Sequence, residues 1–167
     1  MSKKVVQHRR RMSKKTDYKL RLALLKSGKN RLVIRKFNNS ITGQLIKYEK
    51  NGDKTIASVK STQLKSLGWK NHYGNIPSAY LSGLLLGTKI KEKKIKEAVL
   101  DLGLQKNTKG CRLYAFLKGV VDAGINVPHS PEILPPEERI KGNHINEKIS
   151  KDFEHVKEKI LKAKEIL

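Results

Sequence analysis

Between Arg31 and Tyr48 the chain reads RLVIRKFNNSITGQLIKY, two short apolar runs joined by an Asn-rich turn, with cations inside the first run itself. In an extended strand successive side chains point to opposite faces, so Arg31, Val33, Arg35 and Phe37 share one side and Leu32, Ile34 and Lys36 the other. A strand covered on both sides does not hold guanidiniums that lack a pairing group. The Arg-bearing face is therefore expected to look at water or at an anionic partner, with the hairpin as the base of a polyanion-binding surface.

Charge supports that expectation. Across 167 residues, 37 Lys and Arg stand against 15 Asp and Glu, a formal net charge of +22, and an excess of this size repels itself unless something neutralises it. It is concentrated at the start. Residues 1–36 hold 14 bases and one acid, Asp17, for a net of +13; residues 37–136 hold 15 and 7, and residues 137–167 hold 8 and 7. The length suits one compact domain with arms. The single cysteine, Cys111, excludes an intramolecular disulfide and suits a reducing compartment. No apolar run is long enough for a bilayer, so a soluble cytoplasmic protein with no membrane partner is expected.

The chain divides into a basic arm (1–15), a core (16–128) and a Pro-rich extension with an amphipathic helix (129–167). The arm has no periodicity and is expected to be disordered alone. Thr16 or Asp17 can cap a short helix with Tyr18, Leu22 and Leu25 as its apolar stripe, widened by Leu20 and Leu24 and stopped by Gly28. After the hairpin, Asn51-Gly52 predicts a tight two-residue turn into a third strand, Thr55 to Ser61. Residues 62–75 read as a loop, in which Trp69 either covers an edge of the core or stacks on an unpaired base. Pro77 opens the most buried helix, with Gly83 and Gly87 read as close packing on a sheet. Ala98 to Leu102 suits a strand covered on both faces and parallel to the first. A second crossover helix, from Arg112 to Ala123, then leads to a short parallel edge strand, Ile125 to Val127, ended by Pro128. Residues 128–145 look like an extended arm. The final helix presents Ile149, Phe153, Val156, Ile160, Ala163 and Leu167 on one side and is expected to dock on protein.

Three antiparallel strands followed by two βα crossovers give an α/β fold class: a three-layer, ribonuclease-H-like mixed sheet of five strands. Enzymes of that arrangement hold metal with converging carboxylates, whereas here Asp53, Asp101 and Asp122 look scattered and the first strand carries Arg31 and Arg35. The five histidines show no metal-ligand spacing with Cys111 or with one another, and no phosphate-cradling Gly motif is present. The sequence reads as a binder with no cofactor. A metal-dependent nuclease and a polybasic DNA-binding protein are the alternatives.

The segments from Arg9 to Lys36, RRRMSKKTDYKLRLALLKSGKNRLVIRK, followed in order by NNSITGQL, GNIPSAYLSGLLLG, EAVLDLGL and VDAGINVPHS, resemble the large-subunit ribosomal protein L eighteen family, in its archaeal or eukaryotic form. The resemblance implies a structural, non-enzymatic protein that binds 5S rRNA and anchors it to large-subunit rRNA beside neighbouring large-subunit ribosomal proteins. Carried onto this chain, it implies RNA contacts by Arg9, Arg10, Arg11, Tyr18 and Arg21 in the arm and first helix, and by Arg31, Arg35, Asn38, Asn39, Ser40 and Gln44 in and beside the hairpin. Lys14 and Lys15 depart from the family pattern and extend the same basic surface. Such a binder should grip phosphates and 2′-hydroxyls and meet irregular loops with Asn or aromatic groups.

Overall fold

The structure is a computed structural model and describes residues 6–162. Its centre is a four-stranded mixed sheet in the order β3-β2-β1-β4. β1 (Arg31–Lys36), β2 (Ile41–Lys47) and β3 (Lys54–Lys60) are consecutive and antiparallel, and β4 (Val99–Asp101) lies parallel to β1. The pairing Lys36↔Ile41 closes the opening hairpin through residues 37–40, and Phe37 N–H donates to the Ser40 carbonyl at 2.8 Å. The second hairpin is looser than Asn51-Gly52 predicted. Residues 48–53 form the connection, with a turn closed by Gly52 N–H on the Glu49 carbonyl, and a bulge between Leu45 and Ile46 shifts the register.

One face of the sheet, carrying Leu32, Ile34, Ile41, Leu45 and Val59, is buried against α3 (Ile76–Glu92) and α4 (Arg112–Asp122). α3 starts where Asn75 accepts the Ser78 N–H at 2.9 Å, and it is buried on nearly every side. Its glycines serve the neighbouring helix rather than the sheet: a Cβ on Gly83 would strike the Phe116 carbonyl, and one on Gly119 of α4 would strike that of Tyr80. Small residues on both helices thus let two backbones touch. α4 follows the expected stripe, with Leu113, Phe116, Leu117 and Val120 inaccessible to solvent.

The expected fifth strand reduces to one parallel bridge, Glu97↔Asn126. Only two backbone bonds hold it, Ala98 N–H to the Asn126 carbonyl and Asn126 N–H to that of Lys96, and Pro128 has no N–H to extend the ladder. β4 is likewise shorter than the sequence run, with Val99 and Leu100 only half-buried.

A second core sits on the far side of α3. Residues 61–75 are not a plain loop: Ser61–Leu67 form a 3₁₀ helix, and Trp69 is buried, its Nε1–H aimed at the His72 carbonyl at 3.4 Å. Nor are residues 128–145 an extended arm, because α5 (Glu137–Lys141) tucks Ile140 beneath α6 (Glu147–Lys162). Ile149, Phe153, Val156 and Ile160 of α6 close over Trp69, Leu64, Tyr80 and Leu84. Ala163 and Leu167 lie outside the described residues. The amphipathic helix thus docks on its own chain. Beneath it the Tyr80 hydroxyl donates to Asp122 at 2.8 Å, and burial together with that carboxylate pushes the phenol above its ordinary range.

Candidate nucleic-acid interface

The outer face of the sheet is where the sequence and the structure differ most. Pairing places Arg31, Val33 and Arg35 of β1 beside Ile46, Gln44 and Thr42 of β2, with Ser58 and Lys60 of β3 continuing the last two rows. α2 (Tyr18–Lys26) lies across one end of this face. It is capped by Asp17, whose carboxylate accepts from Lys19 N–H and Leu20 N–H. Of the apolar side expected on α2, Tyr18, Leu24 and Leu25 are half-covered, together with Arg21, whereas Leu20 and Leu22 are exposed. No residue of α2 is fully buried, because the helix spans a cavity of about 430 Å³ floored by Arg31, Val33, Arg35 and Ile46.

Arg31 is not at the surface. It is 3% exposed, with Nη1 2.7 Å from Asp101 and Nη2 2.6 Å from Asp53. Asp53 also takes Arg21 at 2.8 Å, and Asp101 takes Arg35 at 3.0 Å. Three arginines and two aspartates thus form one chain of ion pairs from α2 across the sheet to β4. Arg35 further donates through Nη1 to the carbonyls of Ile34 and Asp101. It can lie there because Gly103, at φ +59°, has no Cβ; one would approach its Nη2 to 2.9 Å. The Arg31 Nε–H has no acceptor among the described residues. The expectation of an open Arg-bearing face is therefore corrected. The anionic partner of Arg31 and Arg35 is internal, and the physical reason is the one that made the strand unusual: a buried guanidinium needs carboxylates.

That network also corrects the picture of scattered acids. Asp53 and Asp101 converge, while Asp122 is occupied elsewhere by Tyr80 and Lys118. A guanidinium, however, stands between the two carboxylates. Among the described residues no three His, Cys, Asp or Glu side chains gather as a metal site, and no helix is long and apolar enough to cross a membrane.

The arm's cations behave differently. Arg9, Arg10 and Arg11 lie on α1 (Arg9–Met12), a single helical turn where an irregular segment was expected; residues 1–5 of the arm lie outside the described residues. Lys14 follows with φ +49°, and His8 and Tyr18 rings sit 4.9 Å apart, holding the arm against the start of α2. The five cations in the described part of the arm, Arg9, Arg10, Arg11, Lys14 and Lys15, are exposed, and among the described residues none is ion-paired. Arg10 only donates to Thr16 Oγ1 at 2.9 Å.

Of the hairpin residues, Asn38 and Asn39 are exposed at the turn. Ser40 is buried at its base, and Gln44 is half-buried with its amide 3.4 Å from Ser58 Oγ. Beyond the reach of α2, the Thr42, Gln44, Ser58 and Lys60 end of the sheet face stays open to solvent. Lys60 was missed in the sequence; the alternation of β3, once paired to β2, puts it on the same face as Arg35.

A family model described as "Ribosomal large subunit proteins 60S L5, and 50S L18" matches residues 2–97 and 88–130, more than half of the chain. The "Large ribosomal subunit protein uL18" of Methanococcus maripaludis is 50% identical over 140 residues, spanning 84% of this chain and 72% of that protein.

Proposed function

The chain belongs to the family of ribosomal large-subunit proteins that includes 60S L5 and 50S L18, in its archaeal form, and on that premise we propose that it binds 5S rRNA and joins it to the large-subunit rRNA. Membership makes the protein a structural constituent of the large subunit with rRNA as its partner. The 50% identity over most of the chain is the observation that carries the reading. The order β3-β2-β1-β4, extended by the Asn126 bridge, supports a ribonuclease-H-like ancestry for the core. In it, an arginine occupies the position between Asp53 and Asp101, which supports reading the protein as a binder rather than a nuclease.

The geometry supports a division of labour. The arm (1–15), whose described cations have no ion-pair partner among the described residues, supplies charge that displaces counterions from phosphates. The core (16–128) presents Asn38, Asn39, Gln44 and the open end of the sheet, where irregular RNA is read. The extension (129–167), through α5 and α6, buttresses the core from behind. Arg21, Arg31 and Arg35 hold α2, and with it the arm, in register over the sheet, while Tyr18 anchors their junction.

Binding of full-length protein to 5S rRNA and to an unrelated structured RNA of equal length, titrated over several salt concentrations, tests this. A clear preference for 5S rRNA is expected, with log K falling by roughly 0.7–0.9 per phosphate neutralised for each tenfold rise in salt. Equal affinity for the two RNAs would refute the 5S assignment.

A further inference from the structure

Phe37 is the aromatic residue at the turn of the opening hairpin, and it is 55% exposed. By alternation it continues the outer face of β1, but it lies past the end covered by α2, and among the described residues nothing closes over its ring. A single exposed Phe is ordinary. What sets this one apart is the frame beneath it.

The backbone on both sides of Phe37 is clamped by distant elements. Its own N–H is held by Ser40, and its neighbour Lys36 is bracketed by the Gln105 amide, which accepts the Lys36 N–H at 2.8 Å and donates to its carbonyl at 2.9 Å. Arg112, at the start of α4, aims Nη1 at the Gly74 carbonyl at 2.6 Å and at those of Phe37 and Asn38 at 3.4 and 3.5 Å. The Lys36 ammonium is tied to the Lys106 carbonyl at 2.6 Å. The ring therefore projects from a fixed backbone and loses only two side-chain torsions on binding, which keeps the ordering cost low.

The surroundings specify the occupant. The open cleft beside the ring is lined by Lys36, Asn38, Asn39, Ser40, Thr42 and Lys60, which are cationic or neutral, with no carboxylate among them. A π-face flanked by amides and lysines matches an unpaired nucleobase with its phosphate: stacking on the ring, amide bonds to the base edge, and charge on the backbone. We infer that Phe37 is a stacking platform for one unpaired base of the RNA, with Asn38 and Asn39 facing its edge and Lys60 its phosphate. This deepens the function proposed above and rests on it.

Two measurements on the full chain test it. The first compares wild type, Phe37→Ala and Phe37→Trp on transcribed 5S rRNA and on an unrelated structured RNA. On whichever RNA wild type binds more tightly, the Ala variant should bind about tenfold more weakly with an unchanged salt slope, while the Trp variant retains affinity. Affinity within twofold of wild type for Ala, equal losses in Ala and Trp, or a reduced salt slope would each overturn the platform. Loss of 5S preference by wild type overturns the 5S assignment and leaves the Phe37 comparison standing. The second irradiates large subunits carrying the unaltered protein at 254 nm and maps crosslinks by mass spectrometry. A nucleotide adduct at Phe37 is the expected result; a crosslink to a protein neighbour, or none, overturns it.

Discussion

Arg9 to Arg11 and Arg31 to Arg35 are the same residue type, 20 or so positions apart, and the bulk charge treats them alike. In the folded protein they do opposite things. The arm arginines lie exposed with no carboxylate beside them among the described residues, while Arg31 is buried between Asp53 and Asp101 with Arg35 beside it. The difference teaches that a basic residue in a nucleic-acid binder can act on the ligand or on the scaffold, and that the carboxylates decide which. On the proposed function, arm cations supply affinity and sheet cations supply the shape that aims them.

The largest effect expected from this contrast is on stability. Asp101→Ala strips Arg31 and Arg35 of a shared partner in a buried setting and should cost about 3–5 kcal/mol, read as a lowered urea midpoint. A loss within the range of ordinary surface substitutions would place Arg31 in effective solvent and erase the contrast. The Arg9→Gln, Arg10→Gln, Arg11→Gln triple variant should do the reverse. Its unfolding midpoint stays that of wild type, while the slope of log K against log salt on 5S rRNA becomes shallower by roughly two to three. An unchanged slope would remove the arm from the interface.

Arg35 tests the boundary between the two groups, since its side chain is a third exposed while bonded to Asp101. Arg35→Gln should lower stability by roughly 1–2 kcal/mol, less than a fully buried charged bond because water screens it; calorimetry reads this. The smallest effect is expected far from both, at Tyr80. Because its phenol pKa is raised in the folded chain, the unfolded chain releases the proton first. The stability it lends is complete below about pH 10 and falls as pH climbs beyond. Tyr80→Phe should cost about 1 kcal/mol at neutral pH and unfold with a gentler alkaline dependence than wild type. An identical alkaline profile would contradict the burial of the phenol beside Asp122.

Periodicity carried much of the fold. The alternation around Leu32 and Ile34, the stripe on α4 and the one on α6 were legible because burial on one face writes its period into the chain. Trp69 and α6 illustrate what was not: each showed an apolar need, and only the fold shows that they meet each other. Ile140 has no periodic neighbours to announce α5, and a single bridge at Asn126 looks, in sequence, like a strand. The site failed for a related reason. Asp53 is 22 residues from Arg31 and Asp101 is 70, separations at which no local spacing rule links a cation to its acid. The sequence showed that Arg31 needed a partner, and the excess of +22 pointed to RNA as that partner.

Arginine-specific chemical modification of the unaltered protein, free and bound to 5S rRNA, with mass-spectrometric readout at each site, tests the central claim most directly. Arg9, Arg10 and Arg11 should react in the free protein and be protected by RNA, while Arg31 stays unreactive in both states. Ready modification of Arg31 in the free protein, with protection on binding, would contradict the account and return the sheet arginines to the RNA.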